Sequence, residues 1–282
     1  MNVMPFFVTG CPKSGTTWLG HLLDAHPEIS CKGEACVHAF TNPLERITNE
    51  YNDLLVRRAG LFSDSNDFPP VTQEELFSLM RYFIDMRLAA VVDQKKRGLR
   101  FVGEKDPAHA EHLPAMNLLY PEAKFIHIIR DGRDVMLSAY HNNLKNNTPG
   151  VKEAGLDGFL DEAARQWGLI VKRAIQTSSI LGNRYIEVRY EALLADPLPQ
   201  LKRLLAFLGA DAREDILRAC VDAASFEKLS KGRAQGQEDS KSFFRKGVAN
   251  DWQNHMTPAQ VQRFEAQAGG MLAQLGYLRS AV

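Results

Sequence analysis

The sequence has few cysteines, and their placement excludes several classes of protein. Only Cys11, Cys31, Cys36 and Cys220 occur among 282 residues, with no CxxC pair and no dense spacing. This pattern argues against a disulfide-rich secreted fold and predicts free thiols in a reducing compartment. A zinc site from Cys31, Cys36 and His38 is not expected, because no second ligand pair follows at zinc spacing.

The chain also lacks an excess of charge and any long apolar run. Its 34 basic and 34 acidic residues give a formal net charge of zero, so no global field attracts nucleic acid or an anionic membrane. No stretch reaches the roughly 18 apolar residues of a membrane span, and the N-terminus lacks the basic region of a signal peptide. We therefore expect a cytoplasmic protein without a nucleic-acid partner. Any anion that it binds must be held by a local cluster of residues.

Strand-like apolar runs recur along the chain, and a helical pattern follows each of them. This alternation predicts a three-layer α/β fold with a central parallel sheet flanked by helices, in one domain over residues 1–282. Residues 37–100 show helical periodicity without a strand, and they are interpreted as a helical insertion that caps an acceptor pocket. The runs are PFFVTG, RFVGEK, KFIHIIR and RYIEVRY, and the predicted helices are Thr16–Ala25, His109–Leu119, Val135–Leu144 and Leu193–Leu208.

The stretch GCPKSGTTWL, residues 10–19, joins a strand-like run to a helix. Backbone N–H groups of such a turn, together with the helix dipole, form an anion nest. Gly10 and Gly15 keep the spacing of a Walker A loop, GxxxxGK[ST], but Thr16 stands where the lysine belongs and Lys13 lies inside the loop. A lysine inside the loop caps a shorter anion from the side. The loop thus predicts a nucleotide with one 5′-phosphate and a transferable group rather than a triphosphate.

Two more basic clusters accompany this loop. Arg130 ends an apolar strand, and Ser138 lies two turns into the following helix. Arg245, Lys246 and Gly247 belong to the loop FFRKGVANDW. Each cluster alone is typical of a solvated charged surface, but combined with the first loop they predict a second phosphate pocket.

The motifs PKSGTTW, the Arg130/Ser138 pair and RKGxxxDW occur in this order in sulfotransferases that use 3′-phosphoadenosine 5′-phosphosulfate (PAPS). The chain resembles that family from about residue 5 to 277. The resemblance implies a P-loop-type fold and transfer of a sulfuryl group from PAPS to a hydroxyl or amine of a small-molecule, glycan or lipid acceptor, without a required metal. It implies 5′-phosphosulfate contacts for Lys13, Ser14, Gly15, Thr16 and Thr17, 3′-phosphate contacts for Arg130, Ser138, Arg245, Lys246 and Gly247, and adenine contacts for Trp18, Tyr190 and Phe226.

The resemblance also implies catalytic roles. Lys13 is expected beside the oxygen that bridges phosphate and sulfate, where negative charge develops. Many soluble members use a histidine after a Lys-Thr pair as base, but in GEKDPAHAEH the residues after Lys105 are Asp106 and Pro107. Other branches use a glutamate soon after the first helix, which Glu34 matches. We therefore expect Glu34 as the base ahead of His109 and then Asp106, with Lys105 stabilising the transferring group.

Two other functions stay open at this level: an ATP-dependent P-loop kinase, and a module that binds PAP (adenosine 3′,5′-bisphosphate, the reaction product) without turnover. The displaced lysine and the lack of an acidic Mg²⁺ partner argue against the kinase. The family's dimer motif KxxxTVxxxE appears as QNHMTPAQVQ, with Gln253, Pro258 and Gln262 substituted. That mode of dimerisation is not expected, and the oligomeric state is left open.

Overall fold

A computed structural model describes residues 3–61, 68–96 and 98–278. Five strands form one parallel sheet in the order β2-β3-β1-β4-β5, as predicted. Because β1 is central and the chain continues first to one side and then to the other, a crevice is left at the carboxyl ends of the strands. The strands are β1 (Met4–Thr9), β2 (Ile29–Lys32), β3 (Phe101–Lys105), β4 (Lys124–Ile129) and β5 (Tyr185–Arg189).

Helices cover both faces of the sheet, and the alternation within β1 shows why. Phe6 and Val8 are buried against one helical layer, whereas Phe7, between them, is buried in the core on the opposite face. The helices are α1 (Thr16–Asp24), α2 (His38–Leu61), α3 (Gln73–Val91), α4 (His109–Leu119), α5 (Gly132–Lys145), α6 (Val151–Leu181), α7 (Tyr190–Ala195), α8 (Pro197–Leu208), α9 (Glu214–Ala223), α10 (Phe226–Leu229) and α11 (Pro258–Gln274).

Some boundaries differ from those predicted. The single helix expected over Leu193–Leu208 is wrong: α7 ends before Asp196, whose extended backbone (φ −145°, ψ 87°) precedes Pro197 at the start of α8. Proline has no N–H and disfavours a helical residue before it, so the break is local in origin. Helix α5 begins three residues before the predicted Val135, because the Asp131 side chain accepts a hydrogen bond from the Arg133 backbone N–H at 2.9 Å.

The insertion at 37–100 contributes α2 and α3, and its residues 62–67 and Arg97 lie outside the described residues. Thr72 and Glu75 form a capping box at the start of α3. Within the insertion, the described residues that line the cavity below are His38 and Ala39 at the start of α2. No helix among the described residues combines the length and apolar character needed to cross a membrane.

Candidate active site

A cavity of about 690 Å³ opens at the carboxyl edge of the sheet. A residue that follows each strand lines it: Lys13 after β1, Glu34 after β2, Asp106 after β3, Arg130 after β4 and Tyr190 after β5. The cavity therefore occupies the crevice that the strand order creates. We call the part around Lys13, Arg130, Ser138, Arg245 and Lys246 the basic half, and the part around Glu34, His38, Asp106 and Glu111 the acidic half.

The loop after β1 has the backbone of an anion nest. Lys13 (φ 74°) and Gly15 (φ 97°) are both left-handed, on either side of Ser14, and helix α1 begins at Thr16. The Ser14 hydroxyl is buried and has no hydrogen-bond partner among the described residues. A turn with this backbone, at the start of a helix and with an unsatisfied buried donor in it, is typical of a site where an anion binds.

The Lys13 ammonium lies over the cavity. It donates a hydrogen bond to Asn142 Oδ1 at 3.2 Å and stands 4.6 Å from the centre of the Phe243 ring. Burial, with smaller contributions from the nearby Lys145 and Arg130 charges, lowers the Lys13 pKa to about 8. An ammonium with these neighbours gains from any anion placed beside it.

Arg130 is fixed before any ligand arrives. Its guanidinium donates to the Lys13 carbonyl at 3.3 Å and to the Val248 carbonyl at 3.0 Å, and it stacks 4.4 Å from the centre of the Tyr190 ring. Its Nε is buried without a partner among the described residues. A Cβ on Gly15 would lie 2.6 Å from the same tyrosine ring, so close packing as well as φ demands glycine there.

Asp251 holds the third basic cluster. Its buried carboxylate accepts hydrogen bonds from Arg245 at 2.5 Å and Lys246 at 2.6 Å, while Glu238 pairs with Arg245 at 2.7 Å. Burial acts to raise the Asp251 pKa, but the hydrogen bonds from the two cations outweigh it and lower the pKa to about 2. Arg245 and Lys246 line the cavity together with Ser138.

Aromatic side chains line the basic half as well. Trp18 donates its indole N–H to the Ala224 carbonyl at 3.0 Å, which fixes the ring at the cavity wall. The Phe226 ring packs on Gly247, where an added Cβ would lie 2.3 Å away. Flat apolar walls of this kind suit a purine base. Of the thirteen residues predicted to bind the nucleotide, all but the buried Ser14 line this cavity: Lys13, Gly15, Thr16, Thr17, Trp18, Arg130, Ser138, Tyr190, Phe226, Arg245, Lys246 and Gly247.

The acidic half contains the predicted base Glu34. Its carboxylate is 45% exposed and lies 2.5 Å from the ammonium of Lys105, which is 8% exposed. Asp106 is buried but lines the cavity, and one of its oxygens accepts a hydrogen bond from the Ala108 backbone N–H. The structure thus brings Glu34, Lys105 and Asp106 together where β2 and β3 end.

His109 is placed differently from the other predicted catalytic residues. It is fully buried at the start of α4 and does not line the cavity. Its two ring nitrogens lie 2.9 Å from Glu104 Oε1 and 2.9 Å from His38 Nε2. It is His38 that reaches the cavity wall.

The comparisons identify the family. A family model described as "Sulfotransferase family" matches residues 5–215 of this chain. The chain belongs to the sulfotransferase family. This sulfotransferase is 26% identical over 274 residues to protein-tyrosine sulfotransferase 1 of Danio rerio, covering 96% of this chain and 71% of the relative. It is 27% identical over 310 residues to cytosolic sulfotransferase 17 of Arabidopsis thaliana, covering 98% and 76%.

The solved structures agree on the fold of this sulfotransferase. Mouse sulfotransferase SULT7A1 complexed with PAP superimposes with a TM-score of 0.61 at 19% identity, covering 98% of this chain and 89% of the mouse chain. A likeness at that identity concerns the fold, and it confirms the parallel α/β architecture. The family match, and not this likeness, identifies the chain as a sulfotransferase rather than a kinase.

Several residues that line the cavity were not predicted from the sequence, among them Asn142, Phe243 and His38. Asn142 follows Ser138 by four positions in the sequence, so the predicted helix already placed both on one face. Phe243 stands two residues before the RKG motif. No sequence pattern indicated that His38 lines the cavity, because its hydrogen-bond partner His109 is 71 positions away.

Proposed function

We propose that this sulfotransferase takes the sulfuryl group from PAPS and transfers it to a hydroxyl or amine, releasing PAP. The observation that carries the proposal is the gathering of Lys13, Arg130, Ser138, Arg245 and Lys246 around one cavity beside the backbone nest. Cations and hydroxyl donors that converge on one cavity favour an anionic ligand. The PAP in the mouse relative's structure supports the same ligand class.

In this proposal the nest from Lys13 to Thr17 holds the 5′-phosphosulfate, and Arg130, Ser138, Arg245, Lys246 and Gly247 hold the 3′-phosphate. Trp18, Tyr190 and Phe226 enclose adenine. When bound, PAPS supplies the sulfuryl group and a phosphate leaving group. Lys13 stabilises the charge that develops on the bridging oxygen, and Lys105 stabilises the group in transit, so that no metal is required.

The acceptor's proton goes to a group of the acidic half, and we propose Glu34, with Asp106 as the next candidate. Glu34 lines the cavity, whereas His109 is sealed behind it. The salt bridge to Lys105 links the base to the cation that steadies the sulfuryl group. The acceptor class is a small-molecule, glycan or lipid hydroxyl, and the names of the tyrosine-modifying relatives add phenols. The four free cysteines fit a cytoplasmic location.

The test combines binding with turnover. Melting temperatures are measured without ligand, with PAP, with PAPS and with ATP–Mg²⁺, since a ligand at 100 times its Kd stabilises the fold by about 2.7 kcal/mol. We expect PAP and PAPS to raise the melting temperature and ATP–Mg²⁺ to leave it unchanged. Transfer of ³⁵S from labelled PAPS to a panel of phenols and alcohols then measures activity. A rise with ATP–Mg²⁺ but not PAP contradicts the proposal.

A further inference from the structure

Three side chains form a continuous hydrogen-bonded chain behind the acidic half. Glu104 on β3 is 1% exposed and His109 is fully buried. Glu104 Oε1 lies 2.9 Å from His109 Nε2, and His109 Nδ1 lies 2.9 Å from His38 Nε2. The chain therefore runs from a buried carboxylate to an imidazole that lines the cavity.

The order of donors in this chain follows from its carboxylate end. Glu104 accepts at both oxygens, because Oε2 also receives the Ala35 backbone N–H at 3.0 Å. A carboxylate only accepts, so Nε2 of His109 carries a proton, and in the neutral ring Nδ1 of His109 is then the acceptor. His38 then donates from Nε2, which leaves Nδ1 of His38 with a free lone pair.

The ring of His38 is held in place as well as in one tautomer. His112 stacks on it with centroids 3.9 Å apart and planes 23° apart, while the His109 ring lies edge-on at 79°. Among the residues that the structure describes, none forms a hydrogen bond with Nδ1 of His38. His38 therefore lines the cavity with a ring that two neighbouring imidazoles hold in place and whose Nδ1 has no partner among the described residues.

His38 is suited to accepting a hydrogen bond and poorly suited to keeping a proton. Burial, followed by the neighbouring imidazoles of His109 and His112, lowers its pKa to about 3. A base this weak stays neutral near pH 7, and proton transfer to it is unfavourable. Recognition of a donor group is the role that remains, and it leaves Glu34 free to take the proton.

We propose that Nδ1 of His38 accepts a hydrogen bond from a second donor group on the acceptor, and that His109 and Glu104 position it. The substrate class is accordingly an acceptor with a hydroxyl or amine besides the one sulfated, such as a diol, a dihydroxybenzene or an amino alcohol. This inference rests on the proposed function for the reaction itself. A site built to hydrogen-bond a donor discriminates strongly against analogues that lack it.

The first test reads the tautomer without any turnover. Long-range ¹⁵N–¹H NMR spectra of the full chain at pH 7, with signals assigned by His38→Asn and His109→Asn, show which ring nitrogen is protonated. We expect His38 to carry its proton on Nε2 and to lose that arrangement in Glu104→Gln. A proton on Nδ1 of His38 overturns the proposal.

The second test compares acceptors that differ in one group. Phenol, the three dihydroxybenzenes and their monomethyl ethers are assayed with saturating PAPS, and their binding is measured by melting temperature with PAP present. We expect at least one dihydroxybenzene to exceed phenol and its own ether by about tenfold or more in kcat/KM. His38→Leu should erase this preference through KM, while His38→Asn, which retains an acceptor oxygen, restores part of it. His112→Phe, which keeps a stacking ring, is the control and should keep the preference.

The outcomes separate the two proposals. A fall in kcat for every acceptor in His38→Leu identifies a base and overturns the recognition role. Equal kcat/KM and equal binding of phenol and all dihydroxybenzenes in the wild type overturn it too. Failure of PAP to bind, by contrast, counts against the proposed function, and the NMR result for His38 stands independently of it.

Discussion

The anion nest in the basic half of the cavity depends on short-range backbone geometry, whereas the contacts of the acidic half join side chains far apart in the sequence. Lys13, Ser14 and Gly15 form a nest within three consecutive residues. Glu34 meets Lys105 across 71 positions, and His38 meets His109 across another 71. A motif of adjacent residues can be recognised in a sequence, whereas a contact between residues 71 positions apart cannot.

The two halves also differ in how they are stabilised before a ligand binds. Arg245 and Lys246 are held by Asp251, and Arg130 by two backbone carbonyls. In the acidic half, Glu34 is 45% exposed and has Lys105 as its ion-pair partner. The cations of the basic half are thus fixed by partners of their own, whereas Glu34 in the acidic half is the more exposed member of its ion pair.

The largest expected effect concerns the acidic half. Glu34→Gln should lower kcat by about 10²–10⁴, the usual contribution of a general base, and leave the PAP-induced rise in melting temperature unchanged. Steady-state kinetics and melting curves measure the two quantities. Glu111→Gln is the control, since this carboxylate lines the same half. A kcat of Glu34→Gln within threefold of that of the control would contradict the prediction and favour Asp106 as the general base.

In the basic half, Lys13→Met should lower kcat by about 10²–10³, because it removes an electrostatic contact to the leaving oxygen. Single-turnover transfer from labelled PAPS measures it, with exposed Lys152→Met as the control. If PAP affinity falls as much as kcat does, Lys13 acts in binding and not in the transition state.

The arrangement of cations should depend on Asp251. Asp251→Asn should lower the free energy of unfolding by about 1–3 kcal/mol, because two cations lose their buried partner. Since the folded pKa is depressed to about 2, this stabilisation is present above the ordinary pKa of 3.8 and is lost as pH falls through about 2. Urea unfolding from pH 6 to pH 2.5 measures both. A wild type and variant with equal stability at pH 6 contradict the prediction.

PAP binding should weaken with rising pH through Lys13. Its folded pKa is about 8, and a bound anion raises it, so binding above pH 8 takes up a proton. The Kd should therefore increase by up to about tenfold per pH unit from there towards pH 10. Calorimetry in buffers of different ionisation enthalpy detects the proton. Lys13→Arg, which stays charged, should show neither effect, and a pH-independent wild type refutes the assignment.

The smallest effect separates close packing from backbone strain. Gly247 and Gly236 both have positive φ (67° and 90°), but a Cβ meets the Phe226 ring only at Gly247. Gly247→Ala should weaken PAP binding several-fold and cost about 1 kcal/mol more stability than Gly236→Ala. Melting curves with and without PAP compare them. Equal losses in the two variants leave no role for the Phe226 contact.

The parallel sheet was predictable because each strand and the helix after it are encoded locally. The four apolar runs correspond to β1, β3, β4 and β5, whereas β2 lies outside them. Helix α6 was not predicted, although Leu160, Ala164 and Trp167 bury one helical face of it. The break at Asp196 was missed, although Pro197 signals it.

For this protein, sequence alone determined the anion nest, the basic motifs and, through their order, the family. Those features depend on φ angles and residue types within a few positions, which the chain specifies directly. Only the tertiary structure decided that His109 is sealed behind the wall, that His38 faces the cavity in its place, and that Glu34 is paired with Lys105. These outcomes depend on how α2 and the end of β3 pack together, and packing between distant segments is settled by the whole core.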